Sequence, residues 1–377
     1  MKEKLPVPSG EYAVGTLTYT IYHDREEKMC QSGMRNIAAR VYYPVLKSAV
    51  ENLPKARYLS ERMAKGLKKI YLLPRDYEKL EASGDNVSEC YEKAPVVPGK
   101  KFPLIVFNHG YNSYREGNSY LCLEMASHGY VVISVAHSME AVSVEFDDGS
   151  AIDAAKGLSQ KIYQPFLQAV FETLKFTKEK GSNEELAEKF DILQKKYNRY
   201  LMDRMDEWIL DIKAALSYAR EHFGDFIDFE RGIGASGHSF GGASAYTLCM
   251  DEADFVCGIN IDGGLYGNHW EKVLRKPFLQ ISCKANVNVV TRGYVRHTKP
   301  VYGVLFRDMS HVGFSDMKFW LNMKSALGKL EPEKMHENLC RCHLEFFDAY
   351  LKGKKETPEL KDNDVISVTV YAPDTEG

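Results

Sequence analysis

The chain has 377 residues, 44% hydrophobic and 27% charged, ordinary globular proportions that exclude wholesale disorder and leave material for a large core. Its 49 basic and 52 acidic residues give a formal net charge of -3, and no run of like charge advertises a nucleic-acid partner or a polybasic membrane patch. No stretch approaches a membrane-spanning length of apolar residues, and Met1-Lys-Glu-Lys-Leu-Pro6 lacks the apolar core of a secretion signal, so a cytoplasmic protein without an integral membrane segment is expected.

Eight dispersed cysteines do not make a disulfide scaffold, and Cys340-Arg-Cys342 lacks the spacing and second ligand pair of a zinc site, so no metal is expected.

In chain order, Tyr12–Tyr22 and Ile37–Tyr43 are β-branched and aromatic, and predict an antiparallel opening in which Pro44 stops the second strand. Residues 45 to 98 are polar and read as surface loop with one helix near 59 to 72. Short apolar runs then follow at Phe102–Phe107, Tyr130–Ala136, Gly232–Ala235, Phe255–Ile261, Pro277–Ser282 and Pro300–Phe306. Helical patterns separate most of them, which predicts βαβ units and a mostly parallel, doubly wound α/β sheet. A single domain over 1–377 is expected.

About a hundred residues separate the runs at 130 and 232, where a crossover unit takes about 30, so a helical insertion is expected at 150–204. Within it Leu158, Ile162, Phe166, Val170 and Leu174 recur every four residues, with Tyr163, Leu167 and Phe171 beside them. A second series runs from Leu186 through Phe190, Leu193, Tyr197 and Trp208 to Leu216. Such stripes pack onto a core as a rule; the sharper expectation is a lid or cap over a cleft.

The segment with the clearest chemistry is Gly237-His-Ser-Phe-Gly-Gly-Ala243, directly after one apolar run and opening a helical pattern. G-x-S-x-G between a strand and a helix is a nucleophile elbow, with Gly237 and Gly241 leaving room for a turn that exposes the Ser239 hydroxyl. A serine needs a base, oriented in turn by an acid. Of the histidines that follow, His336 and His343 lie on a helical stretch and His297 precedes a strand. His311 falls in the loop after the run ending at Phe306, at a strand's carboxyl end, where open α/β sheets place their active sites. Asp262 ends the run Phe255–Ile261 at the same end. The next run is followed by Cys283-Lys-Ala-Asn-Val-Asn-Val289, with no carboxylate, while Asp308 and Asp316 remain as rivals near His311. An oxyanion hole takes one amide from Phe240, after the nucleophile, and one from Tyr111, in the loop after Phe107.

These residues bring out a resemblance. Pro6-Val-Pro-Ser-Gly-Glu-Tyr-Ala-Val-Gly15, Phe107-Asn-His-Gly110, Leu123-Glu-Met-Ala-Ser-His-Gly-Tyr130, Gly237–Ala243, Cys257-Gly-Ile-Asn-Ile-Asp262 and His311-Val-Gly-Phe-Ser-Asp316 are similar, in that order, to the secreted and type II intracellular platelet-activating factor acetylhydrolases and their bacterial relatives. The resemblance implies an α/β-hydrolase fold, catalysis by Ser239, Asp262 and His311, oxyanion amides at Tyr111 and Phe240, and no cofactor. It implies ester substrates, either lipid esters with short or oxidised acyl chains met by peripheral lipid contact, or soluble small-molecule esters and lactones. A non-catalytic ligand-binding protein on the same scaffold is the reading from another class, and an intact triad counts against it.

Overall fold

The computed structural model describes residues 5–23, 25–28, 30, 33–71, 87–155, 165–321 and 323–373. The chain divides into two compact units, residues 1–156 with 211–230 and residues 157–210 with 231–377.

In the first unit β1 (Ala13–Ile21) and β2 (Ile37–Val45) pair antiparallel along their whole lengths. Pro44 does not end β2 but pairs with Val14. The ladder to β6 (Val131–Ala136) has already stopped at Tyr42–Val132, so the proline sits where the strand has a neighbour on one side only, a position that tolerates its missing N–H. The strand order is β5-β6-β2-β1-β4-β3, with β5 (Phe102–Asn108) parallel to β6. Residues 45 to 98, expected as loop, contribute two short strands, β3 (Lys55–Arg57) and β4 (Val87–Glu92), as well as the expected helix α1 (Glu61–Tyr71). The central strands β2, β5 and β6 are buried at every position, which is why β5 and β6 read as short apolar runs. Helix α2 (Ser119–Ser127) follows β5, and a hairpin of β7 (Ser143–Glu145) and β8 (Ala151–Asp153) follows β6.

The core of this unit holds an ion cluster. Asp211, fully buried, accepts hydrogen bonds from Arg35 Nε (3.0 Å) and Nη2 (2.7 Å), Arg25 Nη2 (2.9 Å) and His137 Nδ1 (2.8 Å), while Arg35 also donates to Glu140 (2.8 Å). Burial opposes ionisation of Asp211, but the adjacent Arg35 guanidinium wins and holds the carboxyl well below the usual range. Removing one partner of such a cluster strands the others in a dry interior. Asp211→Ala is therefore expected to lower the unfolding free energy by about 3–5 kcal/mol at neutral pH. Denaturant midpoints read this directly, and a change below about 1 kcal/mol, the size of an exposed pair, would contradict it.

In the second unit the order is β9-β10-β11-β12-β13. Strands β9 (Ile227–His238, which begins in the first unit), β10 (Phe255–Ile261), β11 (Phe278–Cys283) and β12 (Val301–Phe306) are parallel, and β13 (Ile366–Tyr371) closes the edge antiparallel. Helix α6 (Phe240–Asp251) joins β9 to β10, and α7 (Pro332–Tyr350), with proline in its first turn, precedes β13. No α-helix is described between β10 and β11 or between β11 and β12; residues 284–294 form 3₁₀ turns instead.

The expected insertion is divided. β8 belongs to the first unit, whereas α3 (Phe166–Phe176), α4 (Asn183–Tyr197) and the start of α5 (Arg199–His222) belong to the second. Helix α4 is started by a capping box, in which Ser182 and Glu185 satisfy each other's backbone N–H. It packs on the turn at 288–294 through Leu186, Phe190 and Leu193 against Val289 and Val290, with a buried Asp191–Arg292 ion pair. Leu158, Ile162 and Tyr163 of the first stripe lie outside the described residues. The part on α3 is not a buried face: Ala169 and Phe176 are covered, but Leu167, Phe171 and Leu174 are 82%, 65% and 58% exposed. Among the described residues, no helix is long and apolar enough to cross a membrane. All eight cysteines are buried, and none of them is in a disulfide.

Candidate active site

Ser239 stands between the last residue of β9, His238, and the first of α6, Phe240. Its backbone takes φ 59° and ψ -124°, a conformation that costs a non-glycine residue on the order of 1–3 kcal/mol and persists only when its surroundings impose it. They do so here: the Ser239 N–H donates to Ile261 O (2.8 Å), and its carbonyl accepts from the amides of Gly242 (2.9 Å) and Ala243 (3.2 Å) in the first turn of α6. Gly237 pairs with Asn260 in the parallel ladder, and the Gly241 carbonyl accepts from Ser244 Oγ. The tightest approaches occur at two other glycines. A Cβ on Gly242 would lie 1.8 Å from Asn260 Oδ1, and one on Gly263 would lie 1.9 Å from Ser239 O.

Asp262 follows β10 and also has positive φ, 58°. Its N–H donates to Ile281 O (2.7 Å) on β11, which turns the fully buried carboxylate toward the strands' carboxyl ends. Every group around the carboxylate is a donor. Oδ1 accepts from the Cys283 N–H (2.7 Å), and Oδ2 accepts from the Cys283 thiol (3.3 Å), Asn286 Nδ2 (2.8 Å) and His311 Nδ1 (2.7 Å). Burial and the neighbouring carboxylate push the Cys283 thiol up to about 12, so it keeps the proton it donates.

His311 opens the 3₁₀ turn His311–Phe314, five residues past β12, and its side chain is 39% exposed. Because an ionised carboxylate only accepts, Nδ1 carries the ring proton and the lone pair is on Nε2. That nitrogen lies 2.9 Å from Ser239 Oγ, which donates to it. The second unit thus brings together Ser239, Asp262 and His311 from the ends of three parallel strands. Of the rivals, Asp308 takes positive φ in a turn whose carbonyl accepts from Lys329 and Leu330, and Asp316 heads a short helical turn with its carbonyl on the Phe319 amide. His343 is buried on α7, donating to Leu339 O, and His297 donates to Lys299 O.

Phe240 is the first residue of α6, a position whose amide has no acceptor within the helix itself. Its ring meets Trp208 edge-on, with centroids 4.8 Å apart. Tyr111 lies in the first unit, in the turn after β5, where Ser113 N donates to Gly110 O and Asn112 N donates to Glu140 O.

Four neighbours of this site are not singled out by the sequence pattern. Asn286 and Cys283 surround Asp262, in a segment read only for its lack of a carboxylate. His238, the variable residue of G-x-S-x-G, has its ring centroid 4.9 Å from that of His311. Its Nε2–H donates to the His311 carbonyl (3.0 Å), and its buried Nδ1 has no hydrogen-bond partner among the described residues. Burial, reinforced by the proximity of His311, pushes the His238 imidazole down to about 3, so it is neutral at neutral pH. Asn260, a polar residue within the apolar run of β10, was a readable signal. It donates to Gly263 O and Gln280 Oε1 and accepts from Gly263 N, fixing the loop that carries Asp262.

The family model for platelet-activating factor acetylhydrolase, isoform II, matches residues 1–365. Among curated proteins, the platelet-activating factor acetylhydrolase of Gallus gallus is 29% identical over 201 residues, covering 49% of this chain and 44% of that protein. The one from Cavia porcellus is 24% identical over 283 residues, covering 68% of this chain and 59% of that protein. The chain therefore spans about half the length of the curated relatives it matches. A solved structure of a ferulic acid esterase from Streptomyces cinnamoneus superposes with a TM-score of 0.67 at 20% identity, covering 98% of this chain and 99% of the other. That likeness shows the α/β-hydrolase fold.

Proposed function

Because the chain belongs to the platelet-activating factor acetylhydrolase isoform II family, we propose that it is a serine carboxylic-ester hydrolase working through an acyl-enzyme, with Ser239 as nucleophile, His311 as base and Asp262 as the orienting acid. The observation that carries this reading is the continuous hydrogen-bond chain Ser239 Oγ to His311 Nε2 (2.9 Å) and His311 Nδ1 to Asp262 Oδ2 (2.7 Å).

Ser239 Oγ attacks the ester carbonyl as its proton passes to His311 Nε2. The imidazolium so formed is stabilised by Asp262, and His311 returns the proton to the leaving alkoxide. Water then repeats the sequence on the acyl-enzyme. Developing negative charge on the carbonyl oxygen is assigned to the amide of Phe240 and, from the family resemblance, that of Tyr111. No metal or organic cofactor enters this scheme. The substrates assigned are short-acyl lipid esters of the kind named by the family, hydrolysed with phospholipase A2-type cleavage, and the helical insertion is read as part of the wall around them. Peripheral contact with a lipid surface and a cytoplasmic location belong to the same proposal.

The test is turnover of acetyl, butyryl and octanoyl esters, each offered as a soluble nitrophenyl ester and as a phospholipid dispersion, together with fluorophosphonate labelling mapped to its peptide. Label on Ser239 and a rate that falls as the acyl chain lengthens are expected. Turnover confined to soluble esters would move the assignment to a small-molecule esterase or lactonase. An unlabelled, inactive protein would favour a binding role.

A further inference from the structure

Asn286 takes no part in the proton transfers, yet among the described residues no other side chain outside the three hydrogen-bonds to both Asp262 and His311. Its Nδ2 lies 2.8 Å from Asp262 Oδ2, 3.4 Å from Asp262 O and 3.2 Å from His311 Nδ1. With Nδ1 protonated toward the carboxylate, the amide and the imidazole both donate to Oδ2, and the 3.2 Å approach is the spacing of two donors sharing one acceptor. The side chain comes from the 3₁₀ turn Lys284–Asn286, immediately after β11. That turn leads into 288–294, which the insertion helices hold: Asn288 Nδ2 donates to Phe176 O (2.8 Å) and Glu179 O (3.0 Å), and Val289 and Val290 pack on α4.

We propose that Asn286 is a positioning residue of this site: its amide holds Asp262 Oδ2 against His311 Nδ1 and sets the pH above which His311 acts as a base. The inference rests on the serine-hydrolase reading. A carboxylate that shares its charge with an amide donor stabilises a neighbouring imidazolium less than a bare one does. Among the described residues, the other groups bonded to or stacked on His311 are Ser239 and His238 from the end of β9, Asp262 from β10 and, through Asp262, Cys283 from β11. Asp262 alone among them brings a charge, so a change in its partners passes to His311 undiluted. The insertion gains a role as well, as the buttress of the segment that carries Asn286.

The experiment is the pH profile of kcat/KM for wild type, Asn286→Leu and Asn286→Asp with one short-chain nitrophenyl ester, and fluorophosphonate labelling of each. Leucine keeps the shape and removes the donor. The acid limb is expected to move up by about half to one pH unit, with kcat lowered roughly tenfold and KM little changed. Aspartate adds a second carboxylate beside Nδ1 and is expected to move the limb further, by about one unit or more. Equal loss of activity at every pH with the limb unmoved in both variants would leave Asn286 a merely structural residue and overturn the inference alone. If leucine prevents folding, the aspartate profile decides. A wild type that neither labels nor turns over would overturn the serine reading and this inference with it.

Discussion

Ser239→Ala is expected to lower ester turnover by on the order of a millionfold and to abolish fluorophosphonate labelling, the scale at which removing the serine of such a unit disables the whole. The loss should be chemical rather than structural. Alanine meets the same restriction at φ 59° as serine does, and the bonds that impose it run from the backbone: the amide to Ile261 O, and the carbonyl from Gly242 and Ala243. His311 loses one partner at Nε2, but its side chain is 39% exposed, so water replaces the hydroxyl while Asp262 keeps hold of Nδ1. The thermal midpoint is therefore expected to stay close to wild type, corresponding to a stability change within about 1 kcal/mol. A variant that folds normally and still hydrolyses esters at an appreciable fraction of the wild-type rate would remove Ser239 from the mechanism.

How much of this site was legible beforehand follows from what kind of constraint each residue obeys. Ser239 was legible because its chemistry demands a local shape, and G-x-S-x-G between a strand and a helix writes that shape into adjacent residues. Asp262 and His311 were legible by address, since each follows a strand at its carboxyl end and the reaction needs one acid and one base there. Asn286 and Cys283 obey no such local rule. They matter because parallel pairing of β10 with β11 places the starts of the two loops that follow them side by side, and nothing in Cys283-Lys-Ala-Asn286 records that neighbour.

The fold divides along the same lines. Strands buried on both faces, such as β5, β6 and β11, stand out as apolar runs. The strands β3 and β4 do not, because their register with each other shifts and few of their residues are covered. β13 carries a legible signal of its own, the alternation Ile366-Ser-Val-Thr-Val-Tyr371. On α3 the apolar period is real, yet three of its residues face solvent, since periodicity gives a face and says nothing of what covers it.

Lowering the pH from about 6.5 toward 4 should unfold the protein, and buried histidines rather than carboxylates should drive it. Burial pushes His137, His269 and His343 down to about 4, and His109 and His238 down to about 3. Neighbouring histidines add to the shift in two cases, His137 for His109 and His311 for His238. Burial keeps these rings neutral against carbonyl bonds that favour the charged form at His343 and His238, whereas the bond that His109 accepts itself requires a neutral ring. His343 donates through Nδ1 to Leu339 O, His238 through Nε2 to His311 O, and His109 accepts at Nε2 from the His137 amide.

In the unfolded chain the same side chains titrate near about 6.5. Between the two values the unfolded state binds protons that the folded state refuses, so stability rises with pH there and falls as pH drops, each group contributing up to about 1.4 kcal/mol per pH unit. Several such groups together reach the 5–15 kcal/mol typical of a folded domain within about two pH units. Asp211 acts in the same direction but in a lower window. Its folded value is depressed, so its stabilisation is complete above the ordinary aspartate range near about 3.9 and is lost only on further acidification. The two sources therefore separate on the pH axis. Urea unfolding from pH 8 to 4, combined with direct measurement of proton uptake, should show a flat plateau above about 7 and uptake of several protons per molecule near pH 5. His343→Gln and His269→Gln should each reduce that uptake by about one, whatever their separate effects on midpoint. Uptake below about one proton at pH 5, with stability lost only under pH 4, would assign acid unfolding to the carboxylates instead.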